Sequence, residues 1–250
     1  MKKIKKMVFS ATIAALVIGN LVPTIVLADG GEYESEAAVE FVPFTGVTPP
    51  RDPDNPGDTV SPYPDPNPGT SGPLSIDFAS TFDFGVNQIT NEDMTYYALP
   101  QLVRIADSSG EYRLEPRPHY VQVTDSRGSN AGWSLQVRQN GQLSYEDTLH
   151  DTLHGAQISV TGVTPASIST AAAPSTHDFI LDPEGAASNV MLAAQGEGAL
   201  TWIARFGALS EVDDELRNTN VSLFVPGATP KDAVVYTTTL TWILTDVPGN

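Results

Sequence analysis

Beyond Pro73 the apolar positions recur with a period of two. Leu74, Ile76 and Phe78 alternate with Ser75 and Asp77, and Phe82 and Phe84 continue after a break. Alternation of this kind places one face of an extended strand against a core and the other toward water. Further strands are predicted at Leu102–Ile105, Tyr120–Thr124, Trp133–Val137, Ile158–Val160, Phe179–Leu181, Val190–Leu192, Leu200–Ala204, Val221–Val225 and Val234–Leu244. They are short, rich in Val, Ile, Thr, Phe and Trp, and separated by Gly, Pro, Asn or Asp clusters. One stretch, Leu209–Arg217, is helix-like. Regularly spaced strands without intervening helices predict an all-β fold, a single β-sandwich-like domain of about ten short strands over residues 73–250.

The pattern before Pro73 differs. Lys2, Lys3, Lys5 and Lys6 precede an apolar run from Met7 to Leu27, and Val26-Leu27-Ala28 ends it with small residues. A charged start, an apolar middle and such an ending predict a signal peptide over residues 1–28, cut between Ala28 and Asp29. The run is also long enough for an uncleaved anchor; with cleavage, the mature chain has no transmembrane segment. Residues 29–72 carry Glu32, Glu34, Glu36 and Glu40, then the runs Thr48–Asp58 and Ser61–Gly69 with repeated Asp-Pro and Asn-Pro steps. Proline pushes the preceding residue to extended conformations, and the apolar content is too small to offset ordering entropy. A disordered, acidic, Pro-rich tether is predicted here.

Composition sharpens this. The 250 residues hold 13 Lys and Arg against 30 Asp and Glu, a net charge of −17, with no cysteine. Removing the four signal lysines leaves 9 basic residues against 30 acidic ones, net −21, and Lys231 as the remaining lysine. Such a polyanion repels phosphate backbones, so no nucleic acid is expected as a partner. Without cysteine there is no disulfide framework, thiolate metal site or cysteine nucleophile. An exported chain without disulfides fits a Gram-positive surface or secreted protein.

No catalytic residues emerge. There is no Gly-x-Ser-x-Gly elbow and no phosphate-binding Gly-x-x-x-x-Gly-Lys loop. A wall-active glycosidase needs only two carboxylates across a cleft, which sequence spacing does not test. The run Asp213-Asp214-Glu215 reads as a solvated face. Asp52, Asp54 and Asp58 resemble the start of a calcium loop, but Pro56 stands where a ligand belongs and no Glu closes it. His150 and His154 lie four apart in the tandem Asp-Thr-Leu-His-Asp-Thr-Leu-His, between strands and without a third ligand, and read as solvated loop residues. His119 and His177 read as surface or half-buried. No metal and no cofactor is expected, and the chain is expected not to be an enzyme.

Two short strands share a spelling. Trp133-Ser134-Leu135 aligns Trp133, Leu135 and Val137 on one side; the segment Tyr236–Pro248 aligns Tyr236, Leu240, Trp242 and Leu244. Either both faces enter the core, each Trp burying on the order of 150–250 Å², or an indole stays exposed as a ligand anchor.

The last segment matches Tyr-x-x-x-Leu-Thr-Trp-x-Leu-x-x-x-Pro and, with Trp133-Ser134-Leu135 after Val123–Gly128, resembles the distal and proximal motifs of the WxL surface-domain family of low-GC Gram-positive bacteria. The stretch Gly72–Phe78, Gly198–Trp202 and Val225–Ala228 are similar to that family too. The resemblance implies a small WxL protein: tether plus WxL domain, residues 73–250, secreted and held non-covalently on the cell-wall surface. It implies peptidoglycan as a partner, with membrane-anchored WxL-interacting proteins and other WxL proteins in a surface complex. The binding residues it points to are Trp133, Leu135, Tyr236, Leu240, Thr241, Trp242, Leu244 and Pro248. The alternative is a protein–protein docking module that reaches the wall through a WxL-interacting partner. Pro248 is followed by two residues without a sorting signal, so retention is expected from the folded domain.

Overall fold

The computed structural model describes residues 30–106 and 110–248; the expected signal peptide lies outside the described residues. The chain divides into two units, residues 1–40 and 41–250. The described residues of the first, 30–40, are exposed and carry no regular secondary structure.

The second unit is all-β, with no helix among the described residues. Sixteen strands form, in chain order: β1 Ser61–Tyr63, β2 Leu74–Ala79, β3 Met94–Ala98, β4 Gln101–Ala106, β5 Tyr112–Arg117, β6 Tyr120–Asp125, β7 Trp133–Gln139, β8 Gln157–Val160, β9 Val163–Ala166, β10 Ser175–Thr176, β11 Phe179–Ile180, β12 Ser188–Ala193, β13 Leu200–Phe206, β14 Leu209–Val212, β15 Glu215–Val225 and β16 Leu240–Thr245. They build four small antiparallel sheets, ordered β1-β4-β5, β10-β12-β7-β16, β11-β8-β15-β14 with β3 also on β15, and β2-β6-β13-β9. The arrangement is propeller-like, so the expected sandwich and its ten strands are corrected. The strands missed by periodicity are short or polar ones, such as β5 with Arg113, Glu115 and Arg117, whose faces bury little.

The core joins three of these sheets. Trp133, Leu135 and Val137 of β7 meet Val121 and Val123 of β6, Trp202 and Phe206 of β13, and Val160 and Val221 of β8 and β15. Alternation is visible in β7, whose Trp133, Leu135, Val137 and Gln139 are buried while Ser134, Gln136 and Arg138 are not.

Two further expectations change. Leu209–Arg217 is a hairpin of β14 and β15, not a helix. Its two-residue turn is Asp213-Asp214, with φ of 51° and 63°. Two consecutive left-handed residues match the twist of paired strands, and Asp tolerates that region better than most residues.

The other change concerns the tether, part of which is ordered on the domain. Arg51 pairs with Thr59 in a β-bridge, β1 pairs with β4, and Asp52 is buried. The Asp52 carboxylate accepts from Arg117 Nε at 2.9 and 3.0 Å, and Asp54 accepts from Arg205 Nε at 3.0 Å. Gln122 Nε2 donates to the Pro49 carbonyl (3.1 Å) and to Asp77 (2.8 Å), while its Oε1 accepts from the Arg51 amide (2.7 Å). Thr124 and Ser75 hydroxyls also donate to Asp77, at 2.6 and 2.7 Å. Strand β6 is therefore buried on both faces, against the core on one and beneath this proline-rich arm on the other. Burial raises the Asp77 pKa, and the hydrogen bonds from Thr124, Gln122 and Ser75 oppose that rise. With Asp52 and Asp54 paired to arginines, the calcium-loop likeness has an electrostatic explanation in this arm.

His119, expected at the surface or half-buried, is buried. Its Nδ1 lies 3.1 Å from Asn218 Nδ2, and its ring packs edge-on to Phe82 at 5.3 Å. Burial lowers its pKa to about 4, opposed by a backbone hydrogen bond to Thr81. Since the unfolded chain binds this proton at higher pH than the folded one, stability falls as pH drops from about 6.5 toward 4. The loss expected from this group is about 3 kcal/mol. Denaturant unfolding of the chain and of His119→Gln at both pH values checks it: the variant should lack this part of the acid sensitivity.

Candidate functional site

The two tryptophan strands are neighbours. β16 pairs antiparallel with β7 in unbroken register, setting Leu240 opposite Gln139, Trp242 opposite Val137 and Leu244 opposite Leu135. β12 flanks β7 on its other side. The sheet thus brings the proximal and distal motifs onto one inward face.

On that face Trp133 and Leu135 are wholly buried. The Trp133 indole Nε1 donates to the Gly198 carbonyl at 3.1 Å. A Cβ added at Gly198, where φ is +69°, would meet Trp133 Nε1 at 2.8 Å and the Ala193 Cβ at 2.7 Å. Glycine is required there both for the backbone conformation and for the close seat of the ring. Leu240, Trp242 and Leu244 are half-buried and pack against the core. The Trp242 ring stacks on Phe206 at 6.3 Å with 12° between planes, and Phe206 meets Phe179 and Phe82 edge-on. Trp202, a residue the paired motifs did not single out, is buried in the same core with Nε1 donating to the Ala199 carbonyl at 3.0 Å.

Tyr236 lies outside the strand and ties a loop. Its hydroxyl donates to the His150 carbonyl at 2.7 Å and accepts from the Asp232 amide at 2.9 Å. The Asp232 carboxylate accepts from the His150 amide (2.8 Å) and from Thr148 Oγ1 (2.5 Å), and lies 2.9 Å from His150 Nδ1. These contacts, led by the His150 side chain, hold the Asp232 pKa well below the usual carboxylate range. His150 is therefore engaged with Asp232 rather than simply solvated. His154 is exposed, and its carbonyl accepts from Thr229 Oγ1 at 2.6 Å. Among the described residues no group of three or more His, Asp or Glu is placed to hold a metal ion.

The outward face of the same sheet is polar. Ser134, Gln136 and Arg138 of β7 stand beside Thr241, Ile243 and Thr245 of β16, with Asn189 of β12 next to them. Gln136 Nε2 donates to Asn189 Oδ1 at 2.7 Å, and Asn140 Nδ2 donates to Thr239 and Thr241 hydroxyls at 2.9 Å each. Ser134 Oγ donates to the Val247 carbonyl at 2.9 Å, fixing the chain just before the exposed Pro248. The face offers amides, hydroxyls and the exposed Arg138 guanidinium. A shallow cavity of about 270 Å³ lies elsewhere, between the arm at Arg51 and Pro56 and the residues Ser167–Ser169 and Leu200.

Two stability tests follow from this geometry. Gly198→Ala must fit a methyl against the indole as well as bear a left-handed backbone, whereas at Gly196 (φ +90°) the space is open. Gly198→Ala should destabilise by about 1–3 kcal/mol more than Gly196→Ala in denaturant titration. Asp232→Asn should lower the melting temperature at neutral pH. A depressed carboxylate pKa stabilises the fold above the unfolded value, so the gap between variant and parent should close in strong acid.

A family description, WxL domain surface cell wall-binding, matches residues 28–248. No curated protein and no solved structure matches the chain significantly.

Proposed function

Because this chain belongs to the WxL domain surface cell wall-binding family, we propose that its folded domain attaches the protein non-covalently to peptidoglycan, within a surface complex. The observation that supports this most is the sheet of the two tryptophan strands. Its apolar face, with Trp133, Leu135, Leu240, Trp242 and Leu244, packs on the core, which leaves its amide- and hydroxyl-bearing face outward. Sugar hydroxyls and acetamido groups pair well with such groups when these are held in place. In this reading the tryptophans, with Tyr236, Thr241 and Pro248, shape the contact face, and Gln136, Arg138 and Asn189 make the contacts. The secreted, wall-surface location expected from the leader belongs to the same reading, as does the absence of a catalytic role.

A second reading is docking through a WxL-interacting membrane-anchored protein. It is favoured by β16, which is hydrogen-bonded as a strand on one side only. Sedimentation with purified, protein-stripped peptidoglycan separates the two, since direct attachment needs no second protein. Under direct attachment, Gln136→Ala and Arg138→Ala should each weaken binding about tenfold with an unchanged melting curve. A net charge of −21 on a wall rich in anionic polymers makes bulk electrostatics repulsive. Wall binding should therefore hold steady or strengthen as salt screens that repulsion. A steep loss between low and moderate salt refutes direct attachment by short-range contacts.

A further inference from the structure

Among the described residues the sheet edges are guarded, with one exception. Strands at an edge expose unpaired N–H and C=O groups that template pairing with another chain, and proteins blunt them with Pro, charge, bulges or brevity. Here β1 carries Pro62, β5 carries Pro116 between charged residues, and β9 carries Pro165. β10 and β11 are two residues long, β14 carries Glu211, and β2 and β3 pair through register shifts. β16 has none of these devices. Its six residues Leu-Thr-Trp-Ile-Leu-Thr are uncharged, strand-prone and in unbroken register with β7 alone.

The direction of its free groups follows from the ladder. The Asn140 amide donates to the Thr239 carbonyl at 2.9 Å, which makes that pair a hydrogen-bonded one. Alternation along an antiparallel ladder then turns the N–H and C=O of Thr241, Ile243 and Thr245 toward β7. Those of Leu240, Trp242 and Leu244 turn toward the open edge.

A second element is also unpartnered. Residues 30–47 are all exposed, up to Thr48, where the chain first becomes partly covered. Within them Val39, Phe41 and Val42 are 76%, 88% and 78% exposed. Val39-Glu40-Phe41-Val42 has the composition of a strand, and an exposed run of large apolar side chains marks a contact.

We propose that β16 of one copy accepts the segment Val39–Val42 of a second copy as an added antiparallel strand, the two copies exchanging segments in a reciprocal dimer. Main-chain hydrogen bonds from Val39 and Phe41 to the edge-facing groups of β16 supply affinity, and alternate side chains supply register. With Val39 and Phe41 on the inward side, they extend the apolar row of Leu240, Trp242 and Leu244 and cover the half-exposed Trp242. Glu40 then falls on the outward side, the side of Arg138. Pro43 falls on the side that faces β16, where it has no N–H to donate, so the added strand ends at Val42. Residues 43–47 join this segment to the covered chain at Thr48 and span about 17 Å when extended, so the exchange brings the two copies into direct contact. The exchange is compatible with direct wall contact through the outward face, whereas a partner docked on the β16 edge would compete with it.

The test is the self-association of the secreted chain by sedimentation equilibrium. A dimer is expected. Phe41→Asp, at a side chain that touches nothing in the monomer's core, should weaken it at least about tenfold, whereas Tyr33→Asp, at an exposed aromatic outside the segment, should leave it unchanged. A peptide of residues 36–45 should bind the Phe41→Asp chain, and the same peptide with alternate amides N-methylated should not. A monomer at every concentration, a dimer indifferent to Phe41→Asp, or failure of the unmodified peptide to bind overturns the proposal.

Discussion

The indole of Trp133 against Gly198 is the contact on which the rest of the domain depends. It buries the bulkiest side chain of β7, satisfies its one donor on the Gly198 carbonyl, and does so at a glycine where an added Cβ would meet the indole nitrogen at 2.8 Å. A buried Trp without a partner for its N–H would cost more than it gained. With β7 pinned, β12 and β16 have a fixed strand on which to pair, and the inward rows of three sheets close on one core. The outward face of that sheet and the free edge of β16 are then left available for recognition.

Much of this was legible where one face of a strand meets the core and the other meets water. The inward residues of β7 and β13 follow from alternation, and the all-β class follows from them. β6 shows where that reasoning stops. Gln122 and Thr124 have the spelling of an outward face, yet both are buried beneath the arm that contains Asp52 and Asp54. Proline and acid content made that arm look like a tether, because composition does not register Arg117 and Arg205, which are distant in sequence and close in space. The tandem Asp-Thr-Leu-His teaches the same lesson. Leu149 is 86% exposed and Leu153 only 6%, although the same three residues, Asp, Thr and His, flank each. Similarly, the two tryptophan motifs could be spelled out from the chain, but their antiparallel adjacency is a tertiary fact that neither spacing nor propensity encodes.

Charge explains why so much of the interior polarity is local. Nine basic residues lie beyond residue 28, and of these Arg104, Arg113, Arg117, Arg127, Arg205 and Arg217 are each paired with a carboxylate. Lys231 donates to the carbonyls of Thr90, Pro226 and Thr229, stapling the loop before Tyr236. Cations are thus spent on holding the arm, the turns and the loops, and the surface left over is strongly anionic. Exposed pairs contribute little individually, but the Asp52–Arg117 pair is nearly buried and also hydrogen-bonded, so losing either partner would leave a buried charge uncompensated.

An anionic surface of this kind keeps copies of the chain apart at long range, since two bodies of like charge, −17 over the full sequence, repel each other. Repulsion falls away within a Debye length, whereas strand addition and hydrogen bonding act at contact. A free edge without charge or proline is therefore safe against indiscriminate aggregation while the surrounding field is intact, and still competent for a partner that arrives in register. The same field makes wall attachment and exchange between copies share one sign of salt dependence, although they use different parts of the sheet. Long-range repulsion with short-range pairing is what would let one small domain remain soluble in transit and become adhesive where its concentration is high.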